Sequence, residues 1–199
     1  MKREMKGGDA PLLLPEQEGM ALLEAAGVPV PEHGVATSPE EAGRIAGSIG
    51  FPVVMKVVSP QVVHKSDAGG VVSGIHSVEE ARDAFRAISG SVLEKIPGAK
   101  ISGIIVAKQY PQGFELLVGG RTDPAFGKVI TFGIGGTLVE LLRDVSIRVL
   151  PVDRATVEEM IDEIRGSRII RGFRGSDPLD REALVDAILR LAQLFEEDP

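Results

Sequence analysis

The chain has 199 residues, enough for one or two compact domains with a buried core. Its formal net charge is −7 and its pI about 5.1, so it carries no basic stripe to neutralise a nucleic-acid backbone, and no nucleic-acid partner is expected. It has no cysteine, which excludes disulfides and thiolate metal sites, and no apolar run long enough to span a membrane. The opening MKREMKGGDAPLLLPEQEG has only three consecutive leucines and lacks a signal-peptide core, so a cytoplasmic location is expected.

Residues 16–26, EQEGMALLEAA, read as a short helix closed by Gly27, with Pro29 and Pro31 beyond it. HGVAT (33–37) is a short strand. SPEEAGRIAGSIG (38–50) is a helix with Ser38 as N-cap, Pro39 at its first position, acids in its first turn and Gly50 at its stop. FPVVMKVVS (51–59) is a near-continuous apolar strand, and VVSGIHS (71–77) is another. SVEEARDAFRAISGSVLEKI (77–96) is a helix capped by Ser77, with Glu80 at the capping-box position. ISGIIVAKQYP (101–111), FELLVGGRTD (114–123) and KVITFGIGG (128–136) read as strands. TVEEMIDEIRGS (156–167) and DREALVDAILRLAQLFEE (180–197) read as helices.

SPEEAGRIAGSIG and SVEEARDAFRAIS echo each other at a spacing of 39 residues, either as a repeat or as two well-capped helices. These helices and their strands describe one small α+β layer. A second layer is built around 101–136. No polar linker separates the two, which points to two subdomains sharing a cleft.

Lys56 sits in VVMKVV, where an unpaired buried ammonium would be costly. Alternation puts Lys56 on one strand face with Val54 and Val58, and Met55 on the other with Val53 and Val57. The Lys56 face is either a solvated edge or the wall of a cleft that takes an anion. Eight residues on comes His64-Lys65-Ser66-Asp67-Ala68-Gly69-Gly70. Its lysine, hydroxyl and glycine amides could cradle phosphate, or the segment could be a polar hairpin loop with turn residues. It is not a Walker loop, since GxxxxGK[ST] occurs nowhere in the chain. His64 is either a phosphoryl-accepting nucleophile or an ordinary hydrogen-bonding loop residue. His33 and His76 form no metal-ligand spacing with it.

Glu115 opens an apolar strand after Pro111 and Gly113. FGIGGTLVELLRD (132–144) reads as strand, glycine bend and helix. Glu140, Asp144 and Arg148 then recur at four-residue spacing as a surface ion-pair ladder. Arg168, Arg171 and Arg174 lie three apart, as an anion site or a solvated loop.

Taken together, GVPVPEHGVATSPEEA, FPVVMKVVSPQVVHKSDAGGVVSGI, IIVAKQYPQGFELLVGGRTDPAFGKVITFGIGGTLVELLRDVSIRVLP and IIRGFRG resemble, in order and over nearly the whole chain, the ATP-grasp subunit of ADP-forming acyl-CoA (acetyl-CoA) synthetases. The related succinyl-CoA synthetase β subunit shares the architecture. The resemblance implies an α+β ATP-grasp fold, with two α+β subdomains enclosing a nucleotide cleft. Residues 25–103 would form the lid, and 1–24 with 104–199 the other half. It implies that Lys56 is the phosphate-binding lysine, and that Lys65, Ser66, Gly69 and Gly70 belong to the phosphate loop. Ala107, Lys108 and Gln109 would be the hinge whose backbone meets the adenine edge. Glu115 would lie near the ribose, and His64 would be a second phosphoryl acceptor. The implied reaction is acyl-CoA + ADP + phosphate ⇌ acid + CoA + ATP, run with Mg²⁺ and a CoA-binding α subunit in a hetero-oligomer. The alternative is a degenerate or regulatory module that binds nucleotide or a partner without turnover. The family continues into strands carrying the Mg²⁺ ligands, whereas this chain stops at LFEEDP. The C-terminal part is thus expected to be incomplete, the metal ligands unknown, and the 199 residues alone inactive.

Overall fold

A computed structural model describes residues 14–136 and 143–197. The described residues divide into two compact units: residues 14–22 with 30–111, and residues 23–29 with 112–136 and 143–197. None of the described helices is long and apolar enough to cross a membrane.

The first unit holds a four-stranded antiparallel sheet of β1 (His33–Ala36), β2 (Val53–Val58), β3 (Val71–Ile75) and β4 (Gly103–Lys108), in the order β1-β4-β2-β3. Helices α2 (Pro39–Ile49) and α3 (Val78–Lys95) belong to the same unit. β4 pairs antiparallel with both β1 and β2, and β2 antiparallel with β3. It follows that β1 runs parallel to β2, and β3 parallel to β4, each pair split by one intervening strand. Two β-α-β crossovers therefore interlock, and the two echoing helices occupy equivalent places in them.

Their starts match in detail. Ser38 Oγ accepts from Glu41 N at 3.1 Å, and Ser77 Oγ from Glu80 N at 3.1 Å. In return, Glu41 accepts from Thr37 N at 2.9 Å and Glu80 from His76 N at 2.8 Å. The returning carboxylates thus satisfy the amide just ahead of each cap, which extends the capping box by one residue. Gly50 ends α2 at φ +79°, a left-handed conformation that favours glycine. The core gathers Val53, Met55 and Val57 of β2, Ile104 and Val106 of β4, Ala42 and Ala46 of α2, and Ala81, Ile88 and Val92 of α3. Full burial of each large aliphatic side chain here is worth about 1.5–3 kcal/mol.

β4 lies inside this sheet, so the first unit extends to Pro111, past the 103/104 boundary expected from sequence. The part of α1 (Glu16–Ala25) up to Leu22 also clusters with this unit rather than with the second.

The second unit is a three-stranded antiparallel sheet, β5 (Leu116–Asp123), β6 (Gly127–Ile134) and β7 (Val145–Val149), with β6 central. One face, through Ile130, Phe132 and Ile134, packs on Val157, Met160 and Ile161 of α4 (Arg154–Glu163) and on Val185, Ile188 and Ala192 of α6 (Arg181–Glu197). A single helical turn, α5 (Ser167–Ile170), adds Ile170 to that core.

β7 corrects the expected ion-pair ladder. VSIRV alternates β-branched residues and pairs with β6, so Asp144 and Arg148 do not share a helix face. Asp144 instead accepts the backbone N–H groups of Arg165 (2.8 Å) and Gly166 (2.7 Å), while Arg148 Nη2 meets Glu163 Oε2 at 2.8 Å. Glu140 lies outside the described residues. The three arginines of 168–174 do not act as a set. Arg171 is paired with Asp162 at 2.7 Å, and Arg174 lies 5.3 Å over the Phe173 ring.

Candidate functional site

Lys56 occupies the middle of β2. The strand pleat sends Val53, Met55 and Val57 into the helix-covered core, as the alternation required. The opposite face holds Val54, Lys56 and Val58, packed with Val35, Ile105 and Ala107. A lysine on so apolar a face needs a counter-charge, and α1 supplies it: Lys56 Nζ donates to Glu16 Oε1 at 2.8 Å. Lys65, from the loop after β2, donates to the other oxygen, Glu16 Oε2. One carboxylate therefore bridges two ammoniums that lie 40 and 49 residues from it in sequence. All three side chains are partly buried, at 34%, 25% and 26% exposure for Lys56, Lys65 and Glu16. Burial pushes the Glu16 carboxyl up, but the hydrogen bonds and charges of the two lysines outweigh it and hold the carboxyl below its ordinary value.

The His64–Gly70 segment is an ordered turn rather than an open nest. Ala68 N donates to His64 O (3.2 Å), Gly69 N to Ser66 O (3.0 Å) and Gly70 N to Lys65 O (2.7 Å). Of the two alternatives the sequence left open, phosphate cradle or hairpin loop, the structure shows the amides of both glycines closing the loop. The glycines are there for space and conformation. Gly69 adopts φ +69°, and a Cβ on Gly70 would lie 2.5 Å from Val57 Cγ1. Lys95 of α3 donates to Asp67 O at 2.8 Å and ties the loop down. Ser66 is exposed, and His64 stands exposed on a groove of about 350 Å³ lined also by Gln61, Val63, Asp67 and Lys95. The loop thus presents His64 to solvent one residue from an ammonium that already holds an anion.

Ala107, Lys108 and Gln109 end β4. Ala107 pairs with both His33 and Val54 and is 3% exposed. Lys108 N donates to Glu32 O (2.8 Å) and Gln109 N to Pro52 O (3.0 Å), so both amides are committed within the protein. The Lys108 ammonium binds the carbonyls of Gly50 and Phe51, and the Gln109 side chain accepts from Gly74 N. Glu115 belongs to the second unit. Its backbone carbonyl accepts from Gly135 N at 2.8 Å, and its carboxyl lies against Gly136, where a Cβ would approach Oε2 to 2.7 Å. Among the described residues no group of three or more Asp, Glu or His gathers as metal ligands, so they do not fit a Mg²⁺ site by themselves.

Glu16 is the site residue that sequence reasoning missed. An acid in the first turn of a helix is commonplace, and nothing local marks a partner 40 residues away.

Comparison with known proteins defines the class. The family model of the ATP-grasp domain matches residues 9–199. The β subunit of acetate–CoA ligase (ADP-forming) I of Pyrococcus furiosus is 46% identical over 194 residues, covering 98% of this chain and 83% of that one. Among solved structures, the dinucleotide-forming acetyl-coenzyme A synthetase 1 of Ca. Korarchaeum cryptofilum, in complex with coenzyme A, Ca-AMPCP and HgCl⁺, is 45% identical. It superposes with a TM-score of 0.89 over 93% of this chain and 81% of that chain. The same enzyme with coenzyme A, acetyl-coenzyme A and a phosphorylated phosphohistidine segment is 43% identical, with a TM-score of 0.85 over 93% and 80%. The chain belongs to the ATP-grasp family, within the group of ADP-forming acetate–CoA ligase β subunits.

Proposed function

We propose that this chain is the nucleotide-binding subunit of a heteromeric ADP-forming acid–CoA ligase, with Lys56 and Lys65 meeting the nucleotide's polyphosphate and His64 carrying the phosphoryl group. The observation that supports it most is the convergence of two ammoniums on one carboxylate, one of them on the residue that follows an exposed histidine in the chain. Two cations from separate segments, partly withdrawn from water, suit the spread negative charge of a transferring phosphoryl group.

In the direction of ATP formation, a neutral ring nitrogen of His64 attacks the phosphorus of a phosphohistidine on the CoA-binding partner. The P–N bond to the donor breaks, and that histidine takes its electron pair. The terminal oxygen of ADP's β-phosphate then attacks the phosphorus on His64, forming ATP and returning the imidazole. Lys56 and Lys65 hold the phosphate oxygens and offset the charge that builds on them. The exposed position of His64 on a loop suits a group that must meet two reactants in turn. Ser66 adds a hydroxyl donor to the same loop. The role of Ala107, Lys108 and Gln109 at the adenine and that of Glu115 at the ribose rest on the family resemblance alone. With the amides of Lys108 and Gln109 committed, the adenine contact would fall to carbonyls of that stretch.

Mg²⁺ and the partner subunit complete this reading. Bound Mg²⁺ would supply charge neutralisation. The second reading is a module that binds nucleotide without turnover. The test is ATP formation from acyl-CoA, ADP and phosphate, with and without a CoA-binding subunit. Turnover that needs both chains, and that His64→Ala abolishes while ADP binding persists, supports the ligase. ADP binding with no turnover in the assembled pair supports the second reading.

A further inference from the structure

Resting on that polyphosphate assignment, the geometry points to Glu16 as a built-in anion that competes with the nucleotide for Lys56 and Lys65. The carboxylate places one oxygen on each ammonium, as two oxygens of one phosphate group would. A phosphate that takes both lysines must therefore displace the carboxylate, because two anions on the same pair of cations repel each other. The displaced element is α1. It has no buried residue, so its first turn is not held by a packed apolar face. In that first turn, Gln17 Oε1 is buried with no hydrogen-bond partner. The first turn is thus docked by charge, in a position that one incoming anion of higher charge can vacate.

The device has two effects. It neutralises one of two neighbouring ammoniums while the site is empty, which keeps a pair of like charges from spreading the β2 strand and its loop. It also makes apparent nucleotide affinity depend on the fraction of molecules in which Glu16 has let go.

The experiment is titration calorimetry of ADP, in magnesium buffer, into the chain and its Glu16→Gln and Lys56→Gln variants, each checked for a native melting transition. Competition requires Glu16→Gln to bind ADP more tightly, by about tenfold, equivalent to about 1.4 kcal/mol. Unchanged or weaker binding by a folded Glu16→Gln, with Lys56→Gln clearly weakened, overturns the competition and leaves the polyphosphate assignment standing. Unchanged binding by Lys56→Gln overturns both. Hydrogen exchange on the unmodified chain gives an answer that does not depend on a variant folding: saturating ADP should speed exchange of the α1 amides from Glu18 to Leu22. Equal or slower exchange there contradicts displacement.

Discussion

Replacing Lys56 with glutamine separates the two roles its ammonium could have. The side chain keeps a polar head and most of its length but loses its charge. In the structure the ammonium meets Glu16 at 2.8 Å, with the two side chains 34% and 26% exposed. Pairs with substantial exposure contribute about 0.2–1 kcal/mol, and Glu16 keeps Lys65 as a partner, so the folding cost of Lys56→Gln is about 1 kcal/mol or less. In a domain of this size that lowers the melting temperature by about 2–4 °C. A hydrogen bond from an ammonium to a phosphate is worth about 1.5–3 kcal/mol, which raises the Kd for ADP about 10- to 150-fold. The variant should therefore melt almost normally and bind ADP poorly. Calorimetric titration beside a thermal melt reads both numbers. The loss should shrink as ionic strength rises, since salt screens the charged contact. A well-folded Lys56→Gln variant that binds ADP within twofold of the unmodified chain would refute the reasoning: the lysine would then be a structural partner of α1 and nothing more.

Two further outcomes follow from the same loop and helix. Gly70→Ala puts a Cβ 2.5 Å from Val57 Cγ1 and 3.0 Å from the Lys65 carbonyl, overpacking that should cost about 1–3 kcal/mol and lower both melting temperature and ATP formation; an unchanged melt would contradict the packing. The Glu16 carboxyl is held below its ordinary value in the fold, so its contribution is fully present above the ordinary glutamate range and is lost as pH falls through the lowered value. The melting-temperature gap between the chain and Glu16→Gln, present near pH 7, should therefore close below about pH 4; a gap that persists undiminished in acid would show that the bridge does not supply it.

What sequence made legible was mostly local. The strand alternation around Lys56 assigned its face correctly, because VVMKVV has a period of two whichever element lies opposite. The caps at Ser38 and Ser77 and the stop at Gly50 were legible for the same reason: each is settled within four residues. β7 was not. ELLRDVSIRV carries charges at helical spacing, and only pairing with β6 decides that its last five residues extend. The place of β4 inside the first sheet was equally hidden, since strand order depends on contacts between segments about 50 and 70 residues apart. The glycine amides stayed ambiguous because HKSDAGG fits an anion nest and a closed turn equally well in sequence; in the structure they donate to the loop's own carbonyls. The family resemblance singled out Lys56 and His64 as candidates, but only the fold shows the carboxylate between Lys56 and Lys65.

The central claim is that phosphoryl passes through His64. The most direct measurement incubates the chain, together with a CoA-binding partner subunit, with ATP labelled in its γ-phosphate, and then maps the label by peptide mass spectrometry. Base-stable, acid-labile label on His64, absent from His64→Ala under conditions where ADP still binds, is the result expected. No label on His64 in a pair that nevertheless makes ATP, or label of the same lability persisting in the chain after His64→Ala, would contradict it.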